Sequence, residues 1–369
     1  MILHLAFVFA IINRYPCLLS NFTIIKGRFI LMHLSTMKKV VGTVNSEWKS
    51  NLAEKLLEPW GFDHGSVYYI RASANFIFTF KKQGIRYYLR FNESSERTEQ
   101  EIKSELKILI YLRNQGVSSV NPVKSNNRNY VEFFETEYGR FYAVVFEAMP
   151  GRTPDLEELT SHDFWRWGRA LGKLHKHMAQ LPKEYVYDRK GPEEAYTFIR
   201  QSLGIEDTLG LCELEKIKQD LAELVITEQN FGCIHFDFEL DNLAFTDADI
   251  WMMDFDDCMN FWFAGDIVFA LRDFNPLDTS SPFFTQFLEG YQSEFNLEPD
   301  FLHHIKTYQR FHDLFTYARI IRSLDITDDQ ENPEWLINLQ NKLLIKADQY
   351  RASFKKYESC TVDSNRSCY

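Results

Sequence analysis

The stretch from residue 233 to residue 257 most constrains the fold, because it places acidic side chains directly beside segments that should be buried. Its first part, CIHFDFELDNLAF, contains Asp237 and Asn242, and its second part, IWMMDFDD, contains Asp254. Both parts have the short apolar runs of strands, whereas the sequence around them has helical apolar spacing. Rigid buried strands hold the loops between them, so the pattern predicts loop carboxylates arranged around an ion of opposite charge.

Length and composition limit the class of protein. A chain of 369 residues suggests two domains or two lobes of one large domain, and a hydrophobic content of 45% allows a sizeable core. The net charge of −11 argues against a nucleic-acid partner, since phosphate backbones select basic patches. The six cysteines have no C-x-x-C spacing, so we predict reduced thiols and a cytoplasmic location.

Residues 1–36 form a doubtful leader. Their first segment, MILHLAFVFAII, is apolar, but no Lys or Arg precedes it and Pro16 interrupts it before the ~20 residues that a membrane span needs. Met37 opens a sequence typical of a cytoplasmic start. We interpret residues 1–36 as disordered or mis-assigned, with a membrane or export segment and an integral part of the fold as alternatives. A chain that begins at Met37 is therefore expected to fold and to be active.

Two lobes are predicted beyond this leader. Residues 37–148 contain strand-like runs, one helical segment and further strand-like runs, which indicates a small α+β lobe. Residues 149–356 have mostly helical apolar spacing and include the acidic stretch described above, so they should form the catalytic lobe with the acceptor site. The polar residues 357–369 are expected to form a flexible tail.

The acidic stretch has the residues that phosphoryl transfer requires. One carboxylate must accept the proton of the acceptor hydroxyl, and an amide oxygen with a second carboxylate can bind Mg²⁺ against the nucleotide phosphates. We therefore predict Asp237 as the catalytic base and Asn242 and Asp254 as the Mg²⁺ ligands. Capping and turn-forming roles are the alternative for all three residues. His235 is expected to brace the loop rather than to transfer a proton.

The same motifs resemble those of a known superfamily. HFDFELDN followed by MMDFDD is similar to the H-G-D-x-H-x-x-N and I-D-F/W motifs of aminoglycoside phosphotransferases and choline kinase-like proteins, which are relatives of protein kinases. GDIVFAL resembles their G-D-x-x-x-D-L-A segment, with Asp266 at the matching aspartate, and ALGKLHKHM resembles their L-G-x-x-L-H helix. Two residues depart from the pattern. Phe236 replaces the glycine after the first His, and Glu239 replaces the second His.

The resemblance implies an α+β fold of the protein-kinase type. Its N-lobe, residues 37–148, is a small antiparallel sheet with one main helix and binds the nucleotide, and its C-lobe is larger and mostly helical. YYLRF places Arg90 at the position of the phosphate-binding cation, and Glu105 is the implied partner of Arg90. Glu99 and Glu101 are alternative partners.

The resemblance also implies an adenine site. AVVFEAMPG resembles the segment that joins the two lobes and binds the adenine edge through its backbone, so Glu147 and Met149 are the predicted contacts. Asp256 and Asp257 are expected at the surface or in caps, with a role at the metal as the alternative, and His175 is expected to cap or pack.

The predicted function is transfer of the γ-phosphate of ATP, with Mg²⁺, to a hydroxyl group of a small molecule such as an amino alcohol or an aminoglycoside. A protein Ser/Thr kinase of the same fold and a nucleotide-binding pseudoenzyme that acts as a scaffold are the alternatives. No nucleic acid and no membrane is expected as a partner. The sequence does not specify the acceptor or the oligomeric state.

Overall fold

The N-terminal lobe is an antiparallel sheet flanked by helices. The computed structural model describes residues 32–274, 277–297, 299–327 and 331–364. The elements of this lobe are α1 (Leu34–Val41), α2 (Asn51–Leu57), β1 (Tyr68–Ala72), β2 (Phe76–Lys82), β3 (Ile85–Glu93), α3 (Glu99–Asn114), β4 (Pro122–Val123), β5 (Glu132–Thr136) and β6 (Gly139–Glu147). The strand order is β1-β2-β3-β6-β4, and β5 pairs with the first half of β6.

Local sequence explains the central hairpin and the main helix of this lobe. Gln83 and Gly84 have φ angles of 52° and 79°, which suits the two-residue turn between β2 and β3. Thr98 and Glu101 form a reciprocal capping box at the start of α3, and Gly116 follows its end with a φ of 78°. The capping box defines where α3 begins, and the hydrogen bonds between Arg90 and Glu105 join this helix to β3.

The C-terminal lobe is mostly helical, with two short strand pairs. Its elements are α4 (Ser161–Met178), α5 (Lys183–Val186), α6 (Pro192–Leu203), α7 (Thr208–Ala222), β7 (Phe231–Ile234), β8 (Leu243–Phe245), β9 (Ile250–Met252), β10 (Met259–Trp262), α8 (Phe263–Ala270), α9 (Pro282–Gln292), α10 (Ile305–Ser323) and α11 (Glu334–Ser364). β7 pairs with β10 and β8 pairs with β9, both antiparallel. The acidic stretch of the sequence lies on the loops of these two pairs.

Helices α4 and α9 pack unusually closely, because glycines remove side chains from their contact. A Cβ atom on Gly168 would lie 1.8 Å from the Phe287 carbonyl oxygen, and a Cβ atom on Gly290 would lie 1.9 Å from the Trp165 carbonyl oxygen. No side chain larger than hydrogen fits at either position. The close approach brings His175 of α4 next to Tyr291 of α9, at the back of the candidate site.

The predicted fold class is confirmed: a small antiparallel lobe with one main helix is joined to a larger helical lobe. Two predicted boundaries fall inside helices. The leader boundary at residue 36 lies within α1, and the tail predicted from residue 357 begins within α11, where no Pro or Gly interrupts the helix before Ser364. Residues 1–31 and 365–369 lie outside the described residues. Within the described part, no helix is long and apolar enough to span a bilayer.

Helix α1 fastens the two lobes together. Met32 and Leu34 are buried at 1% and 0% exposure. The backbone N–H of His33 donates to Glu96 at 2.8 Å, and the backbone N–H of Ser35 donates to Asp325, beyond α10, at 2.9 Å. These contacts indicate that residues 32–36 contribute to stability, so a chain beginning at Met37 should be less stable than one that contains them.

We expect a chain that begins at Met37 to melt several degrees below one that begins at Met32. The shorter chain loses two buried side chains, each worth ~1.5–3 kcal/mol, and the first turn of α1. Both chains start with a natural methionine, so calorimetry compares them directly. Equal melting temperatures would show that this segment adds no stability.

Candidate active site

Asp237 and Asn242 lie on one loop and contact each other. Asp237 follows β7, and Asn242 ends the short 3-10 helix Leu240–Asn242 before β8. The Asn242 Nδ2 donates to the Asp237 backbone oxygen and to its Oδ2, both at 2.9 Å. Asn242 is 1% exposed, and the Asp237 side chain is 27% exposed. The loop therefore presents one accessible carboxylate that is held in place by a buried amide.

A second carboxylate, that of Asp266 at the start of α8, holds the backbone of this loop. Asp266 is fully buried and accepts the N–H groups of His235 and Phe236 at 2.9 and 2.8 Å. Its Oδ2 also lies 2.9 Å from the His175 Nε2, and the His175 Nδ1 lies 2.8 Å from the Tyr291 hydroxyl oxygen. His175, expected only to cap or pack, thus connects the loop to the α4–α9 contact.

His235 braces the loop from the other side. Its Nε2 lies 3.1 Å from the Met253 carbonyl oxygen, so a proton on that nitrogen is donated to the segment that carries Asp254. Burial lowers the pKa of His235 below its ordinary value, which favours the neutral ring. A neutral, hydrogen-bonded histidine suits a bracing role.

The carboxylate of Asp237 is paired with Arg272, which the sequence analysis did not single out. Arg272 begins the 3-10 helix Arg272–Phe274 just after α8, and its Nη2 lies 2.7 Å from the Asp237 Oδ1. Burial opposes the charge of Asp237, but the guanidinium of Arg272, together with weaker effects of other groups such as Arg319, lowers the pKa of this carboxyl below its ordinary value. Asp237 is therefore ionised near neutral pH, as a proton acceptor must be.

Both departures from the family pattern have a structural consequence. Phe236 has a φ of 72°, in the left-handed region that favours glycine, and its buried ring stacks on His312 with a centroid distance of 5.7 Å. Packing thus compensates for backbone strain of ~1–2 kcal/mol. Glu239 is 3% exposed and forms an ion pair with Arg272. A glutamate at this position therefore holds an arginine beside the loop.

Asp254 lies next to Asn242 because β8 and β9 form a hairpin. Leu243 pairs with Met252, and the Met253 N–H donates to the Asn242 carbonyl oxygen at 3.0 Å. The backbone at Asp254 then turns with a φ of 68°. The Asp254 Oδ2 lies 3.6 Å from the Nη2 of Arg71 in β1. The two predicted ligands, which are twelve positions apart in sequence, thus meet at one end of a hairpin.

The donor set fits a hard divalent cation. Asn242 uses its Nδ2 to bind Asp237, so its amide oxygen points away from that carboxylate, and Asp254 adds carboxylate oxygens. Among the described residues, no group of three or more His, Cys, Asp or Glu side chains could form an all-protein metal cage. Mg²⁺ needs no such cage, because it keeps waters and phosphate oxygens beside one or two protein oxygens.

Arg90 and Glu105 form the predicted ion pair. The guanidinium nitrogens Nη1 and Nη2 of Arg90 each lie 2.7 Å from a Glu105 carboxylate oxygen, and both residues are buried. The two alternative partners are engaged elsewhere, since Glu99 pairs with Lys103 and Glu101 caps α3. The bidentate geometry fixes one face of the guanidinium, as expected for a positioned phosphate-binding group.

The acidic side chains after Asp254 are not at the surface, which corrects the prediction for Asp256. Asp256 is 6% exposed and accepts from the Asn75 Nδ2 at 2.8 Å. Arg97 lies 3.3 Å from both Asp256 and Asp257. Buried carboxylates require such partners. Because Asn75 belongs to the turn between β1 and β2, this pair fastens the N-lobe turn to the segment with Asp254.

The segment between the lobes is exposed where the adenine contacts were predicted. Glu147 ends β6, and its backbone N–H donates to the Asn121 carbonyl oxygen at 2.9 Å. Met149 is half-buried. Gly151 has a φ of 89°, and a Cβ atom there would lie 2.5 Å from the Phe245 carbonyl oxygen, so only glycine lets this segment approach β8.

The structure thus brings most predicted side chains to the junction of the lobes. Asp237, Asn242 and Asp254 share one group of loops, and the charges of Asp254 and Asp256 act on Arg90 from across the junction. The fold and these residues define a kinase-like phosphotransferase.

Comparison with known proteins agrees with this class. A model of the phosphotransferase enzyme family matches residues 71–302, so the chain belongs to that family. The predicted class of enzyme, an ATP-dependent kinase, is confirmed. The chain is 24% identical over 301 residues to amicoumacin kinase of Bacillus subtilis (strain 168), covering 77% of this chain and 88% of that one.

Solved structures share the fold. An amicoumacin kinase in complex with AMP-PNP, Ca²⁺ and Ami has a TM-score of 0.68 and 20% identity, over 86% of this chain and 96% of that one. A microcompartment-associated aminopropanol kinase has a TM-score of 0.63 and 20% identity, over 84% of this chain and 97% of that one.

Proposed function

We propose that this enzyme transfers the γ-phosphoryl group of ATP to a hydroxyl group of a small amine-bearing molecule. The observation that best supports this proposal is the contact between Asp237 and Asn242, which joins a proton acceptor to a metal ligand at 2.9 Å. The acceptor hydroxyl gives its proton to Asp237 while its oxygen bonds to the γ-phosphorus. The bond from that phosphorus to the β–γ bridging oxygen breaks, and its electron pair leaves with ADP.

The nucleotide would bind between the lobes. Arg90, held by Glu105, would contact the phosphates, and the backbone of Glu147 and Met149 would contact the adenine. Asn242 and Asp254 would hold Mg²⁺. When bound, Mg²⁺ neutralises charge on the phosphates and orients them. Apart from the proton that Asp237 accepts, these side chains contribute by positioning the two substrates.

The acceptor class is supported by the relatives and by charge. One related kinase is named for amicoumacin and another for aminopropanol. Aminopropanol is an amino alcohol. The net charge of −11 favours attraction of a cationic acceptor over an anionic one. We propose an amino alcohol or an aminoglycoside-like compound as the acceptor rather than a protein side chain.

We expect the purified enzyme to phosphorylate at least one member of a panel of amino alcohols and aminoglycosides, and to leave generic Ser/Thr protein substrates unmodified. Transfer of label from [γ-³²P]ATP measures phosphorylation of the small molecules and of the proteins.

Asp237→Asn should lower kcat by ~10²–10⁴-fold, because the substitution removes a positioned base but keeps its shape. Affinity for ATP should change little.

Asp241→Asn is the matched control, because Asp241 lies on the same loop and is exposed. It should keep wild-type turnover. Unchanged kcat in Asp237→Asn would remove that residue from the mechanism, and phosphorylation of proteins alone would overturn the acceptor class.

We expect Asp254→Asn to weaken Mg²⁺-dependent binding of ATP by at least tenfold and to leave adenosine binding unchanged. Only the phosphates are bound through the metal, and asparagine tolerates the left-handed backbone at this position better than alanine would. Titration calorimetry with each ligand, with and without Mg²⁺, makes the comparison. Equal losses for ATP and adenosine would indicate a folding defect instead of a lost metal ligand.

A further inference from the structure

Arg272 is the cation nearest to the candidate base, and two carboxylates hold it there. Its Nη2 lies 2.7 Å from the Asp237 Oδ1 and also contacts the Glu239 Oε2. Its Nη1 donates to the Phe269 carbonyl oxygen at 3.3 Å. The Arg272 side chain is 11% exposed and Glu239 only 4%. The guanidinium is thus fixed by two carboxylates of the loop and by a carbonyl oxygen near the end of α8.

The second carboxylate indicates what the arginine is for. Arg272 already pairs with Asp237 through a hydrogen bond of 2.7 Å, and a second buried carboxylate adds a desolvation cost of its own. Glu239 has a use if Arg272 must remain at the site when Asp237 turns to the acceptor hydroxyl. The pair Arg272–Glu239 therefore has the arrangement of a cation that is anchored independently of the base.

The position of Arg272 relative to the reaction follows from Asp237. The acceptor oxygen must approach the base to ~2.6–3.2 Å, and the phosphorus must lie ~3–3.5 Å beyond that oxygen. A guanidinium that touches the same carboxylate therefore lies within reach of the oxygens of the transferred phosphoryl group. Negative charge spreads over these oxygens in the transition state, where a positioned cation stabilises it.

We propose that Arg272 is a catalytic residue of this enzyme: anchored by Glu239, it binds the phosphoryl group as the group passes from ATP to the acceptor. This inference rests on the proposed function, since Asp237 defines where the acceptor oxygen lies. It gives the site a second phosphate-binding cation besides Arg90, on the opposite lobe. Arg90 would bind the nucleotide before and after transfer, whereas Arg272 would act mainly in the transition state.

Three variants separate this role from a structural one. Arg272→Gln keeps hydrogen-bond donors but removes the charge, and should lower kcat by ~10²-fold or more with a smaller change in KM for ATP. Arg272→Lys keeps the charge and should recover at least tenfold of that loss. The double variant Arg272→Gln/Glu239→Gln removes both buried charges together, so it should fold even if Arg272→Gln alone does not.

The double variant gives the decisive result. If Arg272 only neutralises Glu239, removing both charges should restore kcat to within about threefold of wild type, and the proposal is overturned. If Arg272 binds the phosphoryl group, kcat should stay low across the pH profile although the protein is folded. A kcat that returns to the wild-type value as the pH rises would show that Arg272 only keeps Asp237 ionised, and would overturn the proposal. Wild-type kcat in Arg272→Gln, or equal kcat in the Gln and Lys variants, would also overturn it.

Arg310→Gln is the matched control for burial. Arg310 is 9% exposed and likewise bridges two carboxylates, Glu213 and Asp220, both at 2.6 Å, but it lies on α10 away from the loop. This variant should melt at a lower temperature and keep its kcat. If no acceptor of the panel is phosphorylated, the proposed function fails, and ATP hydrolysis by water still measures the effect of Arg272.

Discussion

The fully buried carboxylate of Asp266 is the interaction on which the site depends. It accepts two consecutive backbone N–H groups, those of His235 and Phe236, and so fixes the direction in which the chain enters the loop with Asp237. Without side-chain acceptors these N–H groups would be buried at a cost of ~1–3 kcal/mol each. The same carboxylate binds His175, which contacts Tyr291 across the glycine-lined packing of α4 and α9. A contact between two helices thus determines the position of a loop.

Charge pairing organises the junction of the lobes in the same way. Each carboxylate near the loop has a cationic or amide partner: Asp237 and Glu239 share Arg272, Asp256 contacts Asn75, and Asp254 lies near Arg71. Two of these partners belong to β1 and the following turn of the N-lobe. Because ATP phosphates carry negative charge, the arrangement of fixed cations beside the oxygens that we propose as metal ligands suits a polyanionic substrate. The two lobes therefore meet through the same kind of interaction that the reaction uses.

Sequence reasoning found the parts of the site that have a local signal. Asp237 and Asp254 follow short strands and Asn242 precedes one, so their order in the sequence predicted that they lie together. The family resemblance predicted the pair of Arg90 and Glu105. Arg272 and Asn75 have no such signal, because each meets a partner distant in sequence and an isolated Arg or Asn is common on surfaces. Asp256 was placed at the surface for the same reason. The folded residues before Met37 were missed because α1 is short and its burial depends on side chains from both lobes.

The kcat of Asp266→Asn tests most directly whether this carboxylate holds the catalytic loop. Asparagine keeps the shape but offers one oxygen where two accept, so an NH₂ group must face a backbone N–H or His175. A displacement of ~1 Å in the loop should lower kcat by ~10²-fold, with little change in affinity for an ATP analogue. Tyr291→Phe removes only the hydroxyl that ends the hydrogen-bonded series Asp266–His175–Tyr291, so its kcat should stay within a few-fold of wild type. A folded Asp266→Asn enzyme with wild-type kcat would contradict the account.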